Sequence, residues 1–434
     1  MAELLSHDVE KRAGAVAPPL CEDETGAVPA SSFEYGNSMY AKLQRLGGKI
    51  KVEQRGIERV PEDERTDSSY WNIGSMWLAA NMVVPSFTIG VLGKPLFGLS
   101  FVDSALVIIF FNFIGVLTVC FFSIFGATFG LRQMVLSRFW FGWWGVKLIA
   151  LFNVLACIGW AAANIIVGAQ LINAVNSNVP GYAGILIIAF CTLLVVFFGY
   201  QVVHAYEYWS WIPTFIVFLV VIGVFAHSGD FTNLPMGAGT AELGAVLSYG
   251  STVFGFGTGY TSFAADYTVY QPSNRPRRKV FIATWLGIFP TLLFTELLGA
   301  ALITATDLNG GDNAYQKGYD EAGNFMHFIG YWLAIYEGIA LTEHFVFRRG
   351  FSGYNAEDYD DRHRLPPGIA ALLAFCCGVI GMVTGMSQSW YVGPIAASAG
   401  RAPTGGDVGF ELGFAFAAFS YVILRTVELK IFKR

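Results

Sequence analysis

Two residues with chemistry to offer lie one helical turn apart inside an apolar run. They are Trp160 and Asn164 in CIGWAAANIIVGAQ, residues 157–170. At about 100° per residue, Asn153, Cys157, Trp160, Asn164 and Gly168 fall on one helix face. A carboxamide in hydrocarbon is costly unless paired, so that face must meet protein or a water-filled cavity. Two readings are open. The face is helix–helix glue, with Asn bonding across an interface and Gly permitting close approach. Alternatively it is a ligand slot, where Trp160 stacks on a flat ring and Asn164 offers both donor and acceptor to its edge.

A second signal is YGSTVFGFGTGYTSFAADYTVY, residues 249–270. Gly250, Gly255, Gly257 and Gly259 make a poor helix interior and predict a broken helix with free backbone groups turned toward a cavity. SMWLAANMVVPSFTIG, residues 75–90, carries a matching interruption at Asn81, Pro85, Ser86 and Gly90. Acids inside apolar runs are few: Glu207, Glu296, Glu337 and Glu343, the last beside His344. Each is a candidate proton carrier, with Glu343 and His344 expected to be solvated at a cytoplasmic helix end. Asp266 follows the broken sixth run and is placed to cap or pair locally. No hydrolase elbow, phosphate-binding loop or metal-ligand spacing occurs, so neither an enzyme nor a metal or other cofactor is expected.

The elements that must position these residues are membrane helices. The chain of 434 residues is 54% hydrophobic and only 14% charged, with a mean hydropathy of +0.50. That is too little charge to cover a soluble surface of this size. The apolar residues gather into ten runs, near 72–92, 104–126, 145–172, 182–200, 208–226, 243–268, 280–304, 324–346, 367–387 and 407–425. Most match the roughly 20 residues a helix needs to cross hydrocarbon, and strand-type alternation is absent. If the chain alternates sides from a cytoplasmic tail, 24 Lys and Arg fall inside and 3 (Lys94, Lys317, Arg401) outside, as the positive-inside rule requires. Both termini are then cytoplasmic. Residues 1–70 read as a largely disordered tail, with GIERVPEDERTDSSYWN ordered against the bundle. Residues 71–425 form the transmembrane domain, and 426–434 a short C-terminal tail. Five of six Cys lie inside apolar runs and behave as small hydrophobes. The N-terminus lacks signal-peptide order, so the first span is expected to act as its own insertion signal.

Four stretches carry a family resemblance: ERVPEDERTDSSYWNIGSMWLAANMV, GWAAANIIVGAQ, GFGTGYTSFAADYTVYQP and IGYWLAIYEGIALTEHFVFRRG. Together they resemble the fungal purine–cytosine permeases, a branch of the nucleobase–cation symporter-1 family, from about residue 55 to the C-terminus. The resemblance implies an all-α integral membrane protein, a transporter built on two inverted five-helix repeats, and proton-coupled uptake of cytosine or purines at the plasma membrane. Its partners would be a small nucleobase, a proton and the lipid bilayer, with no nucleic acid. Carried over by position, Ser86, Trp160 and Asn164 would line the substrate site. Tyr260 stands where the family commonly has Trp. The base would stack between Trp160 and Tyr260 or Phe256, and Glu207 matches a functional acid of the family.

The resemblance also implies twelve spans, and this chain has ten runs. The eighth and ninth spans, including an Asn- and Pro-containing stretch that completes the family's site, have no counterpart near residues 306–326. Two readings follow: a working permease with a rebuilt site, or a truncated, non-transporting membrane protein. A gap two helices wide favours the second for transport itself, because it would expose Asn164 and the broken sixth helix. A carrier of another heterocycle, such as a B6 vitamer, uracil or allantoin, would keep the same architecture.

Overall fold

Each of the ten apolar runs is helical in the computed structural model, which describes residues 56–197, 200–305, 330–388, 390–400 and 405–434. The expectations for the tail before residue 56 and for the loop where two spans are missing lie outside those residues. The first run forms α1 (Tyr70–Asn81) and α2 (Val84–Val91), bent by 56°. Ser69 caps α1 by accepting the Asn72 N–H. Val83 is extended and Pro85 sits in the first turn of α2, where a missing N–H costs nothing. The next runs form α3 (Phe101–Phe129), α4 (Arg138–Val175, kinked at Gly142), α5 (Gly181–Phe197) and α6 (Tyr200–Ser228). The sixth run is α7 (Gly239–Gly257) followed by a 3₁₀ turn at Thr261–Tyr267. The last four are α8 (Arg277–Leu302), α9 (330–342, ending in a π turn at Glu343–Phe347), α10 (Ile369–Gly385) and α11 (Gly409–Phe432). Among the described residues, five single helices and the bent α1–α2 pair are long and apolar enough to cross a membrane.

The first, second, sixth and seventh runs pack on one another within a core that also takes in α9, α10, α11 and the start of α4. The broken first run packs on α8, the broken sixth run packs on α3, and α3 packs on α8. This reciprocity is what two five-helix repeats produce, since first and sixth, and second and seventh, are equivalent positions. The contacts are tight enough to demand glycine. A Cβ on Gly90 would stand 1.8 Å from the carbonyl oxygen of Glu296. Gly90→Ala should therefore cost about 1–3 kcal/mol by overpacking, read as a lower unfolding midpoint of the purified protein. An unchanged midpoint would contradict this approach of α2 to α8.

The loops sort into two ends. At one end, Arg59 Nε donates to the Phe129 carbonyl (2.9 Å), Asp67 N–H to the Tyr270 carbonyl (3.1 Å), and Arg138 pairs with Asp360 (2.8 Å). At the other end, Lys94 Nζ donates to the Thr304 carbonyl (3.2 Å), Gly237 N–H to Asp103 (3.2 Å), and Asp407 N–H to Ser248 (3.1 Å). This is the alternation that the basic residues predict. The second end carries a single lysine, Lys94, among the described residues. Thr304 and Tyr331 both lie at that end, since Tyr331 donates to Asp407. The described residues on either side of 306–329 thus lie at the same end of the bundle.

The stretch before the first span is ordered, as expected. Val60 N–H donates to the Gly130 carbonyl (2.8 Å). The buried Arg65 guanidinium donates to the carbonyls of Val60 (3.1 Å) and Ala127 (3.3 Å) and pairs with Glu62 (3.2 Å). Gly130, at φ +63°, leaves that guanidinium its room, because a Cβ there would sit 1.9 Å from Nη2. Burial would push the Glu62 carboxyl up, but the Ser273 N–H, Arg65 and Arg59 outweigh it and hold it below the usual carboxylate range. Its contribution to docking is present at neutral pH and fades as pH falls through that range. Arg65→Ala removes charged hydrogen bonds of the kind worth about 1.5–3 kcal/mol each. It should free this strap for proteolysis before the spans are cut; equal protease resistance would contradict that. At the other terminus, α11 continues as helix to Phe432, and Arg434 Nη1 donates to the His363 carbonyl (2.7 Å).

Candidate functional site

The two broken runs face each other across the core. The Tyr260 hydroxyl, just after α7, donates to the Ala80 carbonyl at the end of α1 (3.2 Å). Its ring meets Trp77 edge-on, with centroids 5.2 Å apart. The Trp160 ring on α4 lies edge-on to the buried Phe256 ring at 5.4 Å, and against Gly259, where a Cβ would be 3.3 Å from the indole. Trp160, Phe256 and Tyr260 thus lie together at the sixth break. The backbone there differs from expectation. Its N–H groups are not free: Thr258 donates to Phe254 (2.8 Å), Gly259 to Phe256 (3.1 Å) and Thr261 to Thr258 (2.9 Å). The glycines serve a tight 3₁₀ continuation and close packing.

Side chains, rather than backbone, are left unpaired. Ser86 Oγ on α2 is buried without a hydrogen-bond partner. Asn81 donates to the Trp77 carbonyl (2.8 Å), while its buried Oδ1 has no partner. On α3, Asn112 Nδ2 donates to Glu296 of α8 (2.7 Å), leaving Asn112 Oδ1 and Glu296 Oε1 unpaired. Asn112 Oδ1 sits 2.9 Å from where a Cβ on Gly257 would stand. Buried polar atoms are rarely left unsatisfied, and those on Asn81, Ser86 and Asn112 lie beside the two helix breaks, which offers a place for a polar guest. Asn112 went unnoticed in the sequence. Its signal is a lone amide within FFNFIGV, of the kind that hydrocarbon does not tolerate without a partner.

Asn164 is placed differently. It is exposed, and its Nδ2 donates to the Trp160 carbonyl one turn back on its own helix (2.9 Å). Cys157 on the same face is also exposed, and Gly168 packs on Ile188 of α5. This face of α4 is thus exposed, while Phe256 and Gly257 at the sixth break stay buried. Glu207 on α6 is half-buried and lies near enough to Tyr260 and Tyr267 to act on both electrostatically.

One expectation needs correction. Glu343 and His344 are buried rather than solvated. Glu343 pairs with Arg348 (3.1 Å) and Arg425 (3.2 Å) and accepts the Tyr421 hydroxyl (3.0 Å), while His344 Nδ1 meets the Tyr354 hydroxyl (3.1 Å). The partners come from the last helix and from the segment after α9, so position near a helix end did not decide solvation. Asp266 caps: its carboxylate accepts the Gln133 N–H (2.7 Å) at the start of the short helix Gln133–Leu136.

A helical membrane bundle with two facing broken runs defines a transporter fold. Solved structures share this fold. Mhp1, a nucleobase-cation-symport-1 family transporter with bromovinylhydantoin bound, superposes with a TM-score of 0.62, covering 87% of this chain and 96% of that one at 14% identity. The inward-facing form of Mhp1 gives 0.55 at 12% identity. Residues 59–330 match the family model for permeases for cytosine/purines, uracil, thiamine and allantoin, and the chain belongs to that family. The chain is 53% identical to the purine-cytosine permease fcyB of Emericella nidulans, with 100% of both chains covered. It is 40% identical to the purine-cytosine permease FCY2 of Saccharomyces cerevisiae over 98% of each, and 26% identical to the yeast vitamin B6 transporter TPN1 over about nine-tenths of each. The fcyB alignment runs over 515 positions against 434 residues here, so at least 81 positions face no residue of this chain.

Proposed function

We propose that this chain is a plasma-membrane permease that imports nucleobases, cytosine or purines, with protons, both termini being cytoplasmic. The base lies at the sixth break, stacked between Trp160 and Phe256 or Tyr260, with Ser86 and Asn164 reading its polar edge and Glu207 coupling proton entry. The observation that carries this reading is the set of unpaired buried oxygens on Asn81, Ser86 and Asn112 between two broken helices walled by aromatic rings. A nucleobase supplies the flat face and the donors that such a place lacks, and a mismatched edge would leave polar groups unpaired, which gives selectivity. The names of the relatives agree.

A second reading rests on its own observation. Asn164 is exposed and bonded to its own helix, and at least 81 aligned positions are missing. We place that loss at the eighth and ninth spans, where the family-model match also ends. On this reading the chain inserts and folds but does not transport. Uptake of labelled cytosine, in cells lacking their own permeases, separates the two. Saturable uptake blocked by unlabelled purines supports the permease. Correct insertion with no uptake supports the second reading, and competition only by a B6 vitamer reassigns the substrate.

A further inference from the structure

Glu337 on α9 is 1% exposed, and its hydrogen-bonding partners are hydroxyls. Thr258, directly after α7, meets its Oε1. Thr258, Thr261 and Thr118 of α3 form a closed triangle, each pair 3.0 Å apart. Thr118 also donates to the Gly115 carbonyl (2.7 Å). No cation pairs with Glu337 among the described residues. The titratable groups on the surrounding elements are engaged elsewhere. Tyr260 donates to Ala80, and Tyr267 lies against Trp77. Asp266 accepts from Gln133, Tyr336 meets Gln133 and Ser137, and Glu343 is ion-paired. Cys120 on α3 is a buried thiol.

Counting hydrogens exposes a deficit. Five contacts join the three hydroxyls, Glu337 and the Gly115 carbonyl, yet each hydroxyl brings a single hydrogen and an ionised carboxylate brings none. Two contacts would then set lone pair against lone pair. One added hydrogen on Glu337 fills the contact to Thr258 and lets Thr258 turn its own hydrogen into the triangle, which cuts the shortfall from two contacts to one. It also removes a charge with no counter-charge in a low-dielectric interior.

We propose that Glu337 is a proton-holding site that ties the break of the sixth run to α3 and α9. A proton from water on one side converts the carboxylate to the acid, which then donates to Thr258. Its release to the other side restores the carboxylate and draws the Thr258 hydroxyl back. Thr258 lies two residues from Tyr260, so the proton alters the turn that shapes the proposed base site. The coupling half of this proposal rests on the permease reading; the proton-holding half does not.

Infrared difference spectra of the purified chain test the first half. The parent should show a buried carboxylic-acid carbonyl band that disappears on raising pH and is missing from E337Q, whose amide keeps a donor toward Thr258. Spectra identical in parent and E337Q at every pH overturn the proposal, as does a carboxylate that responds to Na⁺ and never to pH. Proteoliposomes with an inward acid gradient test the second half. The parent should accumulate labelled cytosine, whereas E337Q should exchange it without accumulation, and E337D should recover part of the pH dependence. Gradient-driven accumulation by E337Q overturns the coupling role. A parent that neither exchanges nor accumulates cytosine removes the permease reading and coupling with it, while the spectra still decide whether Glu337 holds a proton. T258V, which keeps the fold's shape but not the hydroxyl, should shift the pH at which the band is lost; an unmoved band overturns the assigned partner.

Discussion

Glu343→Ala should be the most destabilising single substitution in the described part of the chain, at about 3–5 kcal/mol. Glu343 is 1% exposed and holds two arginines from different elements: Arg425 on α11 at 3.2 Å and Arg348 after α9 at 3.1 Å. It also accepts the Tyr421 hydroxyl, while Arg425 continues to Glu428 at 2.8 Å. Deleting the carboxylate leaves a guanidinium almost without solvent, with Glu428 (2.8 Å) and the Arg434 carbonyl (2.9 Å) as its remaining partners. The desolvation penalty is then less fully compensated. The expected result is a sharp loss of monodisperse protein in detergent and a lower unfolding midpoint. Glu343→Leu combined with Arg425→Leu should be milder than Glu343→Leu alone, because the pair is coupled. Equal midpoints for parent and Glu343→Ala would show that α9 and α11 are held by their apolar contacts only.

The second large effect concerns transport. Stacking of a base on an aromatic ring contributes about 1–3 kcal/mol, so Trp160→Ala should lower apparent affinity for cytosine by roughly tenfold to hundredfold. The ring leans on Phe256 and Gly259 and is half-exposed. Its removal therefore creates little cavity, and the unfolding midpoint should change far less than for Glu343→Ala. Trp160→Phe keeps a ring and should recover most of the affinity. A Trp160→Ala chain with parental affinity would place the base elsewhere along the breaks. Equal loss in the Phe variant would mean that the indole acts by size or by its N–H rather than by its face.

Much of the fold was legible because lipid permits few solutions. A run of about 20 apolar residues has to be a helix, and every run proved to be one. The basic residues separated the two ends, and the contacts of Arg59, Asp67, Arg138 and Lys94 agree. Glycine and proline at residues 85–90 and 250–259 located both breaks, since such residues weaken a helix wherever they stand. They did not say what the backbone does next, and the sixth run closes its own hydrogen bonds in a 3₁₀ turn. Trp160 was legible through helical spacing and apolar context, and Phe256 only through the family resemblance. Tertiary pairing was not. Arg425 meets Glu343 across 82 residues of chain, and Thr118 meets Thr258 across 140. No local pattern marks either, and a hydroxyl within an apolar run reads the same whether it bonds its own helix or completes a buried triangle. Asn164 shows the converse limit. Its position on the stripe was legible, but its exposure and its bond to its own helix were not.

The most direct test is exchange of labelled cytosine by the purified chain in proteoliposomes, measured against liposomes without protein and against an excess of unlabelled adenine. The account predicts saturable exchange that adenine suppresses and that Trp160→Ala weakens. A parent chain that is folded and inserted yet exchanges no base above the empty vesicles would contradict it, and would leave the shortened chain as a membrane protein that keeps its family's fold without its transport.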